Sequence, residues 1–203
     1  MNCLAVDTGS NHLTVLLTKG DKVYKSHIDN AMLKHSVTLM PEIEALLESS
    51  NTALCEIDVF CAVVGPGSFT GIRIGVSTIK ALAYSQNKKV LSVTSFEVLA
   101  YNSDRAKVLS VIDARHDNFY ACGFVNKKVV LEPCFINLES LVELSKEYFV
   151  VTDTDILVDI AYEKANVLDG FINAVTSNLD RASIDRESLV PLYVKKSQAE
   201  EEL

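Results

Sequence analysis

The run Val59-Phe-Cys-Ala-Val-Val-Gly65-Pro-Gly-Ser-Phe-Thr-Gly71-Ile-Arg-Ile-Gly75 constrains this chain more than any other stretch. Val59 to Val64 is continuously apolar and predicts a buried strand. Gly65-Pro66-Gly67 must end it, because Pro66 has no amide donor and the glycines allow backbone angles that other residues avoid. Ser68 or Thr70 can then cap a helix that starts near Thr70, since Ile72 to Tyr84 contains no breaker except Gly75.

The loop is not a Walker phosphate loop, since Ile72-Arg73 follow Gly71 where Lys and Ser/Thr are needed. It is not a dinucleotide fingerprint either: the glycines are spaced G-x-G-x-x-x-G, and no acidic residue ends the next strand, Val90 to Thr94. Two readings remain. Gly71, Gly75, Ile79 and Ala83 fall four apart, so one helix face is small and then apolar, suited to close packing. Alternatively the amides at the helix start bind an anion, with Gly67, Ser68, Thr70 and Arg73 as contacts.

Ahead of that run, Leu4 to Asp7, His12 to Thr18 and Val23 to Ile28 predict three antiparallel strands joined by short turns. A helix is expected from Ala31 to Ser49 with a broad apolar stripe, kinked or split at Pro41. After a strand at Val90 to Val93 and a short helix at Phe96 to Asn102, the order repeats. Lys107 to Asp113 is a strand ending in a carboxylate, as Leu4 to Asp7 is, and Phe119 to Val125 and Val129 to Glu132 follow it. Helical segments are expected near 138–146, 155–164 and 171–179. The repeat predicts two α/β lobes with mixed sheets, residues 1–103 and 104–203.

A net charge of −8 makes the chain a poor binder of nucleic acid or anionic membrane by itself. Its Lys pairs (88–89, 127–128 and 195–196) read as solvated surface. Five cysteines without C-x-x-C spacing suggest buried free thiols in a reducing compartment. With no charged leader and no run of membrane-spanning length, the expected location is the cytoplasm.

The signature Gly65-Pro-Gly-Ser-Phe-Thr-Gly-Ile-Arg-Ile-Gly75 resembles that of the TsaB (YeaZ) family, accessory subunits of the bacterial tRNA threonylcarbamoyladenosine machinery. Leu4-Ala-Val-Asp-Thr8, His35-Ser36 with Leu39-Met-Pro41, and Pro191-Leu-Tyr-Val194 match the same family in order. The resemblance implies an actin-like or hexokinase-like ATPase (ASKHA) fold with a degenerate nucleotide site.

In working members of that fold each lobe's first hairpin is a phosphate loop. Asp7-Thr8-Gly9-Ser10 is nearly right, and Asp7 and Thr8 are candidate nucleotide contacts; Asp113-Ala114-Arg115-His116 has no glycine. Adjacent glycines, needed to hold adenosine, occur nowhere. His12, His27, His35 and His116 lack the H-x-x-x-H spacing of the family's metal-binding transferase, so no metal ligand is assigned and His35 reads as a surface or interface residue. Ser68 has no base identifiable in sequence and reads as a cap. Asp113, Arg115, His116 and Asp117 read as a charged hairpin tip rather than acid–base machinery. Gln198 to Leu203 reads as a frayed acidic tail.

The chain is therefore expected to bind rather than catalyse, with no catalytic residue of its own. Leu33, Val37 and Met40 on the first helix and Gly71, Ile72, Gly75, Val76 and Ile79 on the second form the expected partner surface, closing a four-helix bundle. By resemblance the partner is a TsaD-type transferase, joined by a TsaE-type ATPase, with a homodimer when the chain is alone. Transfer of threonylcarbamoyl to N6 of tRNA adenosine 37 is the transferase's chemistry, and tRNA is held mainly by the partners. No cofactor is expected of the chain itself, beyond ATP or ADP at a subunit boundary. The alternative from another class is an independent phosphotransferase of this fold, or a peptidase.

Overall fold

Asp7 and Asp113 each close the first strand of a five-stranded mixed sheet, and the two sheets are wired identically. The computed structural model describes residues 1–31 and 34–195. In the first sheet, β1 (Asn2–Asp7), β2 (Leu13–Lys19) and β3 (Lys22–Ile28) pair antiparallel. β4 (Val59–Val63) and β5 (Lys89–Val93) continue it in parallel from β1, giving the order β3-β2-β1-β4-β5. In the second, β6 (Lys107–Asp113), β7 (Asn118–Val125) and β8 (Lys128–Asn137) are antiparallel. β9 (Phe149–Thr152) and β10 (Tyr162–Lys164) extend β6 in parallel, in the order β10-β9-β6-β7-β8. The duplication expected from the two Asp-terminated strands is thus a duplication of topology, and the α/β, ASKHA-type architecture stands.

The partition of the chain differs from the expected 1–103 and 104–203. One unit comprises Met1–Ser95 and Ala174–Pro191; the other comprises Phe96–Asn173 and, among the described residues, 192–195. The returning segment joins the first sheet because Ser183 and Val90 exchange both backbone hydrogen bonds at 2.8 Å. Arg186 Nε also donates to Lys88 O at 2.9 Å. Pairing between residues so distant in sequence leaves no local trace.

Helix α1 (His35–Ser49) buries His35, Leu39, Ile43 and Leu46, one stripe at helical spacing. Pro41 does not split it. The carbonyl of Val37, which loses its amide partner to Pro41, belongs to an exposed residue as Pro41 itself does, so water can serve it. Helix α2 (Phe69–Ser85) is capped by Ser68, whose Oγ accepts from Gly71 N at 3.2 Å. Helices α3 (Ser95–Ala100), α4 (Leu138–Leu144) and α5 (Val167–Ser177) follow. The helix expected over 155–164 does not form; those residues are irregular up to β10. β9 has no counterpart in the sequence reading, because Phe149-Val-Val-Thr152 is too short and too uniformly buried to show alternation.

Lys127 is not solvated surface. Its ammonium donates to Ala100 O at 2.6 Å and to Ser103 O, past the end of α3. Cys3, Cys61 and Cys122 are buried free thiols, whereas Cys55 is exposed. Burial pushes the Cys3 thiol up to about 12. Among the described residues no helix is long and apolar enough to cross a membrane. The acidic tail lies outside the described residues, as does Leu33.

Candidate functional site

The glycine signature docks α2 onto the turn between β1 and β2. A Cβ on Gly71 would stand 2.0 Å from Thr8 O, and one on Gly67 2.2 Å from Gly9 O. Ser68 N donates to Gly9 O at 2.7 Å, and Thr8 Oγ1 donates to Gly71 O at 2.7 Å in a buried setting. The close-packing reading therefore holds, with the chain's own backbone as the thing packed against. The amides of Ser68, Gly71 and Ile72 are bound internally, to Gly9 O, Ser68 Oγ and Ser68 O. Thr70 and Arg73 are exposed, Arg73 lying 5.8 Å from the Phe69 ring centroid.

This packing corrects much of the expected partner surface. Ile72, Val76 and Ile79 are at most 5% exposed, and Gly71 and Gly75 face Thr8 and Val6. Glycines let a helix approach whatever lies beside it; here that is β1 and its turn. Val37 and Met40 do lie outside, 69% and 39% exposed. Helices α1 and α2 touch each other on the same side of the sheet, α1 over β2 and β3, α2 over β1, β4 and β5.

Asp7 sits at the centre of the turn, 5% exposed. Its Oδ1 accepts from Gly9 N at 2.9 Å, and its Oδ2 lies 3.0 Å from His12 Nε2. Burial alone would raise the carboxyl's pKa. The charge and hydrogen bond of His12, the Gly9 amide and the charge of His35 outweigh it and hold Asp7 below its ordinary value. His12 Nδ1 is 2.5 Å from Ser10 Oγ, and its ring centroid is 5.2 Å from that of His27. His27 Nδ1 in turn is 2.7 Å from Thr14 Oγ1. Register explains the gathering: Thr14 opposes Asp7 on β2, and His27 opposes Thr14 on β3, so the three share one face.

His35 is 2% exposed, so it is not a surface residue. Its Nε2 is 3.1 Å from His12 O and must donate there, since a carbonyl only accepts. That leaves Nδ1 as a buried nitrogen without a hydrogen-bond partner. Sequence reasoning missed this cluster because its histidines come from a turn, a strand and a helix and meet through strand register and the docking of α1, not by spacing along a helix. Their signal was the position of His12 just after a tight turn that begins at a carboxylate.

The second hairpin keeps one element of this design. Asp113 Oδ1 accepts from Arg115 N at 2.8 Å, the same two-residue turn as Asp7 with Gly9. Here, however, Asp113 is partly exposed and faces the Arg115 guanidinium at 3.5 Å. Arg115, His116 and Asp117 all take positive φ, with Asn118 Nδ2 donating to His116 O at 2.7 Å. The polar cluster at this tip builds a turn.

A family model described as "TsaD: tRNA N6-adenosine threonylcarbamoyltransferase" matches residues 29–201. A Bacillus subtilis protein named tRNA threonylcarbamoyladenosine biosynthesis protein TsaB is 29% identical over 225 aligned positions, covering 98% of this chain and 96% of its own. The Escherichia coli protein of the same name is 28% identical over 165 positions, covering 74% and 71%. YeaZ from Pseudomonas aeruginosa superposes with a TM-score of 0.73 at 21% identity, covering 95% of this chain and 99% of that one. A second structure, of an uncharacterized protein similar to peptidase YEAZ, reaches 0.77 at 21% identity, covering 96% and 99%. At that identity the structures speak to the fold. With the signature, the paired sheets and the filled turn in place, this chain belongs to the TsaB/YeaZ family, within the group that the TsaD-type model covers.

Proposed function

We propose that this chain is a non-catalytic accessory subunit that binds a TsaD-type transferase and supports threonylcarbamoyladenosine formation in tRNA. The filled turn carries the reading. Thr8 O and Gly9 O fill the space a Cβ on Gly71 or Gly67 would take, the amides of Ser68, Gly71 and Ile72 are bonded within the chain rather than open to an anion, and Asp7 Oδ2 already lies 3.0 Å from His12 Nε2. The names of the B. subtilis and E. coli relatives place them in threonylcarbamoyladenosine biosynthesis.

The partner lies on the outer side of α1 and α2. Val37 and Met40 supply its apolar centre, and Ser77 and Ala81 offer small exposed positions on α2 that allow close approach. A second copy of the chain can take the same surface when the transferase is absent. With a net charge of −8, contact with tRNA falls mainly on the partners, a TsaE-type ATPase among them.

Reconstitution tests this. The cognate transferase and ATPase should modify tRNA only when the chain is added, while the chain alone neither hydrolyses ATP nor modifies tRNA. Equal modification without the chain would overturn the proposal.

One local array favours a second reading, an independent hydrolase. Ser10 Oγ, His12 and Asp7 make contacts in the order nucleophile, base, orienting carboxylate. Ser10 Oγ also accepts from His12 N at 3.3 Å, which is how a serine closes a local turn. Covalent labelling of Ser10 by a fluorophosphonate would establish the hydrolase; an unlabelled chain leaves the turn.

A further inference from the structure

The turn between β1 and β2 sets where both exposed helices begin. Towards α2, Gly9 O accepts from Ser68 N at 2.7 Å and Thr8 Oγ1 donates to Gly71 O at 2.7 Å. Towards α1, Asn11 O accepts from Ala31 N at 2.8 Å, and His12 O accepts from His35 Nε2 at 3.1 Å. Five consecutive residues, Thr8 to His12, thus hold the entry to each helix. The turn is pinned at both ends by one carboxylate, through Gly9 N on Oδ1 and His12 Nε2 on Oδ2. The two side chains are 6% and 13% exposed, so water is poorly placed to replace that bond.

We propose that Asp7 and His12 are a positioning pair for the docking surface: neither touches the partner, and both determine its affinity by fixing the relative placement of α1 and α2. Val37 lies on the first turn of α1, two residues from His35, so a shift at the His12 carbonyl reaches the apolar centre of the surface directly. Phe69, at the first position of α2, likewise follows Ser68, which the turn holds. Packed elements respond to such a change by adopting a second arrangement rather than by deforming smoothly. The fold's first phosphate loop has thereby become a brace. This inference rests on the partner reading above.

The experiment measures binding of the purified cognate TsaD-type transferase to the full chain and four variants, with hydrogen exchange recorded over 34–40 and 68–75. Asp7→Asn and His12→Ala should each weaken binding on the order of tenfold, typical of a coupling between distinct sites, and exchange should rise in both windows. His12→Gln, which keeps a donor for Asp7, should restore most of the affinity. Wild-type affinity in His12→Ala, or His12→Gln as weak as His12→Ala, overturns the positioning role. The double variant Val37→Asp with Met40→Asp separates the two claims. If it binds as wild type, the surface itself is wrong and the inference falls with it; if it abolishes binding while His12→Ala binds as wild type, only the inference falls. Affinities are taken per folded molecule, and His12→Gln keeps the test decisive should Asp7→Asn fail to fold.

Discussion

Thr8 and Gly71 are interlocked: Thr8 Oγ1 donates to Gly71 O at 2.7 Å, while Thr8 O lies 2.0 Å from where a Cβ on Gly71 would be. The glycine is required by a neighbour's backbone, which cannot swing aside as a flexible side chain can. Gly71→Ala should therefore destabilise the protein by about 1–3 kcal/mol or more, the range for overpacking. Gly9→Ala is the comparison, since its Cβ would meet Asp7 Oδ1 at an ordinary 3.4 Å. Urea midpoints of the two variants check this; equal losses would contradict it.

The residues expected on the partner surface should separate into two classes. Ile79 is 0% exposed, so Ile79→Asp buries an unpaired charge and should unfold much of the protein. Val37 is 69% exposed on the first turn of α1, where a carboxylate also complements the helix dipole. Val37→Asp should leave stability within about 0.5 kcal/mol of wild type. Circular dichroism melts of both variants decide the matter.

Acid stability should depend on Asp7. Its carboxyl titrates below its ordinary value in the folded state, whereas an aspartate in the unfolded chain titrates near about 3.9. The resulting stabilisation is complete above the unfolded value and is lost as pH falls through the folded one. Asp7→Asn lacks this titration. The wild type should therefore lose more stability than the variant as pH drops from about 5 towards 2. Urea midpoints across that range measure it, and parallel acid limbs would count against the role given to Asp7.

Lys127 should matter where its neighbour does not. Its ammonium serves the Ala100 and Ser103 carbonyls, while Lys128 is exposed. Lys127→Met keeps the aliphatic stem and removes the donor, and should cost about 1 kcal/mol or somewhat more. Lys128→Met should be neutral. Thermal unfolding of the pair distinguishes them.

Much of this fold is legible in the chain. Val59 to Val63 is a continuous apolar run and became a strand buried along its length. Gly65-Pro66-Gly67-Ser68 marks the break and the cap that begin α2. Asp7 and Asp113 end equivalent strands, and both carboxylates close the same turn with the amide two residues on. These features are local: periodicity, breakers and caps act within a few residues, where the order of the chain is the order in space.

Tertiary structure alone decided what each face meets. The small, apolar stripe Gly71, Gly75, Ile79 suits another helix or a strand turn equally well, and only the approach of Thr8 gives it to the chain's own core. His12, His27 and His35 are scattered in sequence and converge near Asp7 through strand register and the docking of α1. Ser183 pairs with Val90 although helices and a whole second sheet intervene. The chain by itself determined the strands, breaks and caps of the first sheet and the first three strands of the second, because short-range sterics and hydrogen bonding act there; it did not determine β9 or the irregular stretch that leads to β10. Which surface is buried, which histidine meets the Asp7 carboxylate and which residues stay exposed depend on contacts between distant segments, and those exist only once the sheets have formed.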